Sequence, residues 1–144
     1  MKLKLYVDGS WMTKNPERSG WAFVIVDDAD NIILEKSGSI KALSRQVDGE
    51  LHATIKGLEA LEILKGTYKS PSPQVSIHYD YIGIQKWALG EWKAKSPVAI
   101  KYVKKLGGIN PTLLKDLQWV KIKSHNKEDP WNDYVDLLAK KELG

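Results

Sequence analysis

Apolar and polar residues alternate over the first eight positions: Leu3, Leu5 and Val7 face one way, and Lys4, Tyr6 and Asp8 the other. This period of two predicts a strand, with Gly9-Ser10 as its stop. Gly20 to Asp27 (GWAFVIVD) is a second run rich in β-formers. Asp28 to Asn31 reads as a turn, and Ile32 to Ile40 predicts a third strand. Short connections between the three point to an antiparallel meander. The period then changes. Leu51, Ile55, Leu58 and Leu61 recur at spacings of three and four, which predicts a helix over about Asp48 to Leu64 with one buried stripe. Gly66 and the segment SPSP end it. Gln74 to Asp80 alternates again, Ile82 to Ala88 reads as a short helix, and Pro97 opens another that stops at Gly107-Gly108. Leu117 to Ile122 predicts the last strand. Asp129-Pro130 starts the last helix, where Trp131, Tyr134, Val135 and Leu138 share a face.

The predicted order is β-β-β-α-β-α-α-β-α, an α/β fold with a five-stranded mixed sheet and helices on both faces. The long helix is a crossover, and a crossover favours right-handed, parallel pairing of the strands it joins. No linker or internal repeat divides the chain, so residues 1–144 are expected to form a single domain. Of the 144 residues, 42% are hydrophobic and 28% charged, enough apolar material for a real core. The absence of cysteine excludes disulfides and thiolate metal sites and fits a reducing compartment, so a cytoplasmic location is expected. The start, MKLKLYVDGS, has no signal-peptide h-region, and no run approaches the roughly 20 apolar residues of a membrane span. A net charge of +4 is compatible with a polyanionic partner.

Four acids stand out by position. Asp8 and Asp80 each end a predicted strand, and if those strands are parallel neighbours both carboxylates emerge at one C-terminal edge, where open α/β sheets bind ligands. Glu50 begins the crossover helix, off its apolar stripe; Asp136 lies on the last helix, one turn after Asn132. Each has a plainer alternative: Asp8 as a turn former, Glu50 as a complement to the helix dipole, Asp136 as a solvated charge. Taken together, four clustered carboxylates repel unless a cation compensates, and hard divalent ions, Mg²⁺ above all, suit oxygen ligands.

These residues resemble the type 1 ribonuclease H family. YVDGS is similar to its opening motif, GELHATIKGLEAL to its glutamate-bearing helix, HYD at 78–80 to the strand that ends in its second aspartate, and VKIKSHNKEDPWNDYVDLLAK to its closing block. The resemblance covers nearly the whole chain. It implies an endonuclease that hydrolyses the RNA strand of an RNA–DNA hybrid, with two Mg²⁺ ions (Mn²⁺ as a substitute) and 5′-phosphate and 3′-hydroxyl products. It implies Asp8, Glu50, Asp80 and Asp136 as metal-binding acids, Asp136 rather than Asp133 because Leu138-Ala139 follows, and His125 as an aid to proton transfer and product release. Asn15 and Gln46 match polar residues that contact the substrate, and Asn132 one that either steadies the last acid or contacts the substrate.

The chain departs from the family at Tyr81, where serine is common, and in GEWKAKSP at 90–97, which has no room for an inserted basic helix. Trp92 and Lys93 are the substrate contacts expected there, and Trp87 is expected in the core. His52 and His78 match nothing and read as structural or surface residues. A monomer with no obligate protein partner is expected. The rival readings are a resolvase- or transposase-like nuclease of the same fold and a non-catalytic hybrid-binding module; the complete acid set argues against both.

Overall fold

A computed structural model describes residues 1–68, 71–122 and 129–144 of the chain. Five strands form one sheet: β1 (Lys2–Ser10), β2 (Arg18–Asp27), β3 (Ile32–Lys41), β4 (Gln74–Tyr79) and β5 (Gln118–Lys121). Their spatial order is β3-β2-β1-β4-β5. The meander β1-β2-β3 is antiparallel, whereas β1 pairs β4 and β4 pairs β5 in parallel. The sheet is therefore mixed, as the pattern predicts. The crossover helix α1 (Gln46–Thr67) joins the meander to β4, and α2 (Gly83–Ala88), α3 (Pro97–Leu106) and α4 (Pro111–Asp116) lie between β4 and β5. The last helix is α5 (Trp131–Lys141).

Alternation along the central strands divides the core in two. Leu3, Leu5, Val7, Phe23 and Ile25 pack with Leu51, Ile55, Leu58 and Leu61 of α1 on one face. Tyr6, Ala22, Val24 and Val26 pack with Val135 and Ala139 of α5 on the other. The apolar stripe of α1 is thus the buried one, and each such side chain contributes about 1.5–3 kcal/mol by leaving water.

Two features extend the predicted pattern. A short helix, α4, begins at Asn110-Pro111; the Asn110 side chain accepts from the Thr112 amide at 2.9 Å, and only Leu113 of its six residues is buried. Its single apolar anchor is too little for a periodicity signal, although Asn-Pro is a usable start signal. In addition, β1 does not stop after Asp8 but runs on through Gly9 to Ser10.

Gly9 serves a close approach. A Cβ there would fall 2.4 Å from both the Gln46 carbonyl oxygen and the Glu50 amide nitrogen. Across the contact, a Cβ on Gly49 would lie 2.0 Å from the Gly20 carbonyl oxygen, and the Gly49 amide donates to Ser19 Oγ at 2.9 Å. The first turn of α1 is therefore seated directly on the backbone of β1 and β2. Asp48 secures its entry by accepting from the Leu43 and Ser44 amides at 2.9 and 2.5 Å.

Gly49→Ala should destabilise the protein by about 1–3 kcal/mol or more, the usual cost of overpacking, although alanine is the better helix former. Urea unfolding of the two proteins checks this; unchanged stability would mean that the helix and sheet are not in contact there.

Candidate active site

The parallel pairing of β1 with β4 brings their C-terminal ends to one edge. Asp8, half-buried near the end of β1, pairs in register with Ala22 of β2, and Asp80 directly follows β4 and is exposed. Glu50 arrives from the first turn of α1, carried in by the glycine contact, and is only 7% exposed. Asp136 reaches the cluster from α5 on the opposite face of the sheet. Asp133 lies exposed on the same helix.

The acids perturb one another. Burial, followed by the negative charge of Asp136, pushes the Asp8 carboxyl up to about 8, and Asp80 adds to the effect; the Gly9 amide, which donates to Oδ1 at 2.9 Å, opposes it. Burial, then Asp8 and Asp80, pushes Glu50 up to about 9, partly offset by Lys121. Asp136 is paired with Lys140 at 2.8 Å, one turn on along the exposed side of α5. The second Glu50 oxygen, Oε2, is buried without a hydrogen-bond partner among the described residues.

A hard cation suits this donor set. It would satisfy the orphaned Glu50 oxygen and screen acids that otherwise raise one another's pKa. Among the described residues no three acids or histidines are drawn together into a ready metal cage, so the carboxylates adjoin without closing.

Asn15 lies in the β1–β2 connection, where its amide donates to the Met12 carbonyl and its carbonyl accepts from the Arg18 amide. Gln46 opens α1, and both sit at the edge that carries Asp8. The Arg45 guanidinium stands 4.9 Å over the Trp11 ring. Asn132 is one turn before Asp136. His125 lies outside the described residues. Trp92 is exposed and meets Trp87 edge-on at 5.6 Å, and Trp87 meets Tyr81 at 5.9 Å. An aromatic row thus leads from the residue after Asp80 out to Trp92, with Trp87 packed against the core as expected. Lys93 is exposed beside it.

The sequence pattern gave no sign of Lys121 as a neighbour of the site, nor that Tyr81, next to Asp80, would feel Glu50. Lys121 donates to the Ile122 carbonyl oxygen at 3.0 Å while its charge acts on Glu50, and Tyr81 is raised by burial and by Glu50. The other two histidines are structural: His52 stands edge-on to Trp21 at 4.8 Å, and His78 stacks on Tyr6 at 4.4 Å. Burial holds both down at about 4.

The RNase H family profile matches residues 1–143. The structure is similar to LC11-RNase H1, isolated from compost by a metagenomic approach, with a TM-score of 0.78 at 25% identity, covering 99% of this chain and 95% of that one. LC11-RNase H1 in complex with an RNA/DNA hybrid gives 0.77 at 24% identity, covering 99% and 96%. The N-terminal RNase H domain of rv2228c from Mycobacterium tuberculosis gives 0.77 at 18% identity, covering 100% of each chain. A search of curated proteins found no match.

Asp8 and Glu50 predict an unusual pH dependence without metal. Their folded-state values of about 8 and 9 lie above the ordinary 3.8 and 4.5, so the native state holds protons that the unfolded chain releases. Stability should be greatest near the ordinary carboxylate range and should decline as pH rises through the folded values. Urea midpoints in EDTA between about pH 5 and pH 9 should fall, Glu50→Gln should flatten the decline, and Mg²⁺ should restore stability at the alkaline end. A midpoint that rises over this range would contradict the clustering.

Proposed function

Because the chain belongs to the RNase H family, we propose that it is an endoribonuclease that hydrolyses the RNA strand of RNA–DNA hybrids. The observation that carries this reading is the meeting of Asp8, Glu50, Asp80 and Asp136 at one sheet edge, with mutual repulsion and one orphaned buried oxygen. Two faces of the sheet and four separate elements contribute, an arrangement that core packing does not require.

Each side chain has a task. Asp8 is oriented by the Gly9 amide, and Glu50 is fixed by the seating of α1. Asp80, exposed after β4, and Asp136, from α5, complete the set that would hold two Mg²⁺ ions, with Mn²⁺ as a substitute. The chemistry such ions supply when bound is activation of a water and stabilisation of the leaving 3′ oxygen. The products are a 5′-phosphate and a 3′-hydroxyl. His125 assists proton transfer and product release.

Asn15, Gln46 and Asn132 contact the hybrid backbone near the acids, and Trp92 and Lys93 engage it further out, at the end of the aromatic row. Backbone contacts carry no direct base information, so cleavage is indifferent to sequence, and the 2′-hydroxyl marks the strand to be cut. No helix among the described residues is long and apolar enough to cross a membrane. We place the enzyme in the cytoplasm as a monomeric single domain.

Purified protein with Mg²⁺ should cut the RNA of a labelled hybrid and spare duplex and branched DNA; cleavage of branched DNA alone would replace this reading with a resolvase-like one. Asp80→Asn should leave the fold intact and abolish turnover, and near-wild-type cleavage by this variant across a Mg²⁺ series would rule the site out.

The choice of last acid has its own check. Asp136→Asn should cost far more in kcat than Asp133→Asn at saturating metal. The reverse ranking would shift the metal-binding position by three residues along α5.

A further inference from the structure

The acid from α5 is useful only if that helix is set at the correct advance along β1. The two run in the same direction and meet at three levels. The Tyr6 hydroxyl donates to Asp129 Oδ2 at 2.6 Å. Two residues on, Asp8 meets Asp136. Two further, the Ala139 carbonyl oxygen occupies the space 2.2 Å from where a Cβ on Gly20, the register partner of Ser10, would stand.

These levels differ in kind. The middle one sets two cation ligands side by side, where like charge repels and a shared side-chain hydrogen bond attracts. The last is contact without a directed bond. The apolar packing of Val135 and Ala139 on Val24 and Val26 is also non-directional. Bonds from Trp131 to Asp30, Tyr134 to Glu35 and Ser37 to Glu142 tie the helix to β3 and its turn; on β1 itself, the first level joins attraction to geometry through residues other than the cation ligands, and it is built rigidly. Tyr6 is 1% exposed, and its ring lies against His78, which pairs with Ser76 Oγ at 2.9 Å. The other Asp129 oxygen accepts from the Trp131 amide at 3.3 Å, so one carboxylate both begins α5 and ties it to the sheet. A slip of one residue moves a helix about 1.5 Å along its axis. That would carry a 2.6 Å hydrogen bond beyond its working range.

We propose that Tyr6 and Asp129 are positioning residues that set the advance of α5 on β1 and thereby hold Asp136 beside Asp8 in a geometry that admits a divalent cation. The proposal rests on the reading of Asp8 and Asp136 as cation ligands. Neither Tyr6 nor Asp129 touches the cation or the substrate; they act through the helix.

The test is calorimetric titration of the full chain with MgCl₂, alongside thermal unfolding in EDTA and kcat and KM on a hybrid. Tyr6→Phe keeps the ring and its stacking but removes the donor. It should weaken Mg²⁺ binding about tenfold, as loss of an outer support does, and lower kcat while leaving KM for the hybrid unchanged. Asp129→Ala should do the same, the double variant should be no worse than the worse single, and Asp129→Asn, which keeps one of the two accepting oxygens, should fall between Asp129→Ala and wild type. Val26→Ala, which loosens the same core without touching the bond, controls for stability and should keep its Mg²⁺ affinity.

Wild-type affinity in Tyr6→Phe, additive losses in the double variant, or an equal loss in Val26→Ala would each overturn the proposal. So would a wild-type protein that binds no Mg²⁺. A wild-type protein that binds Mg²⁺ but leaves the hybrid uncut would overturn the hydrolase reading alone.

Discussion

The structure depends on how closely α1 can approach the sheet. With side chains at Gly9 and Gly49, the helix would be forced outward, because both positions already place backbone within 2.4 Å of where a Cβ would sit. The ordinary spacing of a helix over a sheet leaves room for two layers of side chains; here, at Gly9 and Gly49, backbone meets backbone. Glu50 is lowered to the level of the strand ends by that contact, and Asp48 and Ser19 hold the turn in place by hydrogen bonds to backbone amides. On the other face, Gly20 gives α5 the same access. The sheet is therefore gripped from both sides near the edge where the acids meet, and its apolar packing lies behind that grip.

Such an edge is costly without a cation. Two acids with values raised to about 8 and 9 are kept protonated, or the fold bears their repulsion. Hydrophobic burial on both faces of β1 offsets this, and the nearby cations Lys121 and Lys140 reduce it without removing it. The site is thus a local conflict within an otherwise consistent fold, the pattern expected where a binding task overrides stability.

Much of this was legible in the chain. Alternation at Leu3, Leu5 and Val7 and the stripe from Leu51 to Leu61 report burial on one face of a single element, and that is a local property. The acids at 8, 50, 80 and 136 could be ordered on elements for the same reason. What could not be read depends on partners far along the chain. Tyr6 looked like an ordinary polar-face residue because Asp129 is 123 positions away. Gly9 looked like a stop because the helix that requires it comes later. Lys121 and Tyr81 carried no local sign of Glu50. The short α4 escaped because one buried leucine makes no period.

The seating of α5 on β1 also has a consequence in time. The residues it joins lie near opposite ends of the chain, 123 positions apart for Tyr6 and Asp129, so their contacts close very long loops, which carry a large closure entropy. The meander and α1 can assemble from neighbouring segments, and β4 can join once the crossover is in place. Only the arrival of α5 brings Asp136 to Asp8. Until that docking is made, only three of the four acids can stand at the sheet edge, so the cluster closes in one step rather than by degrees.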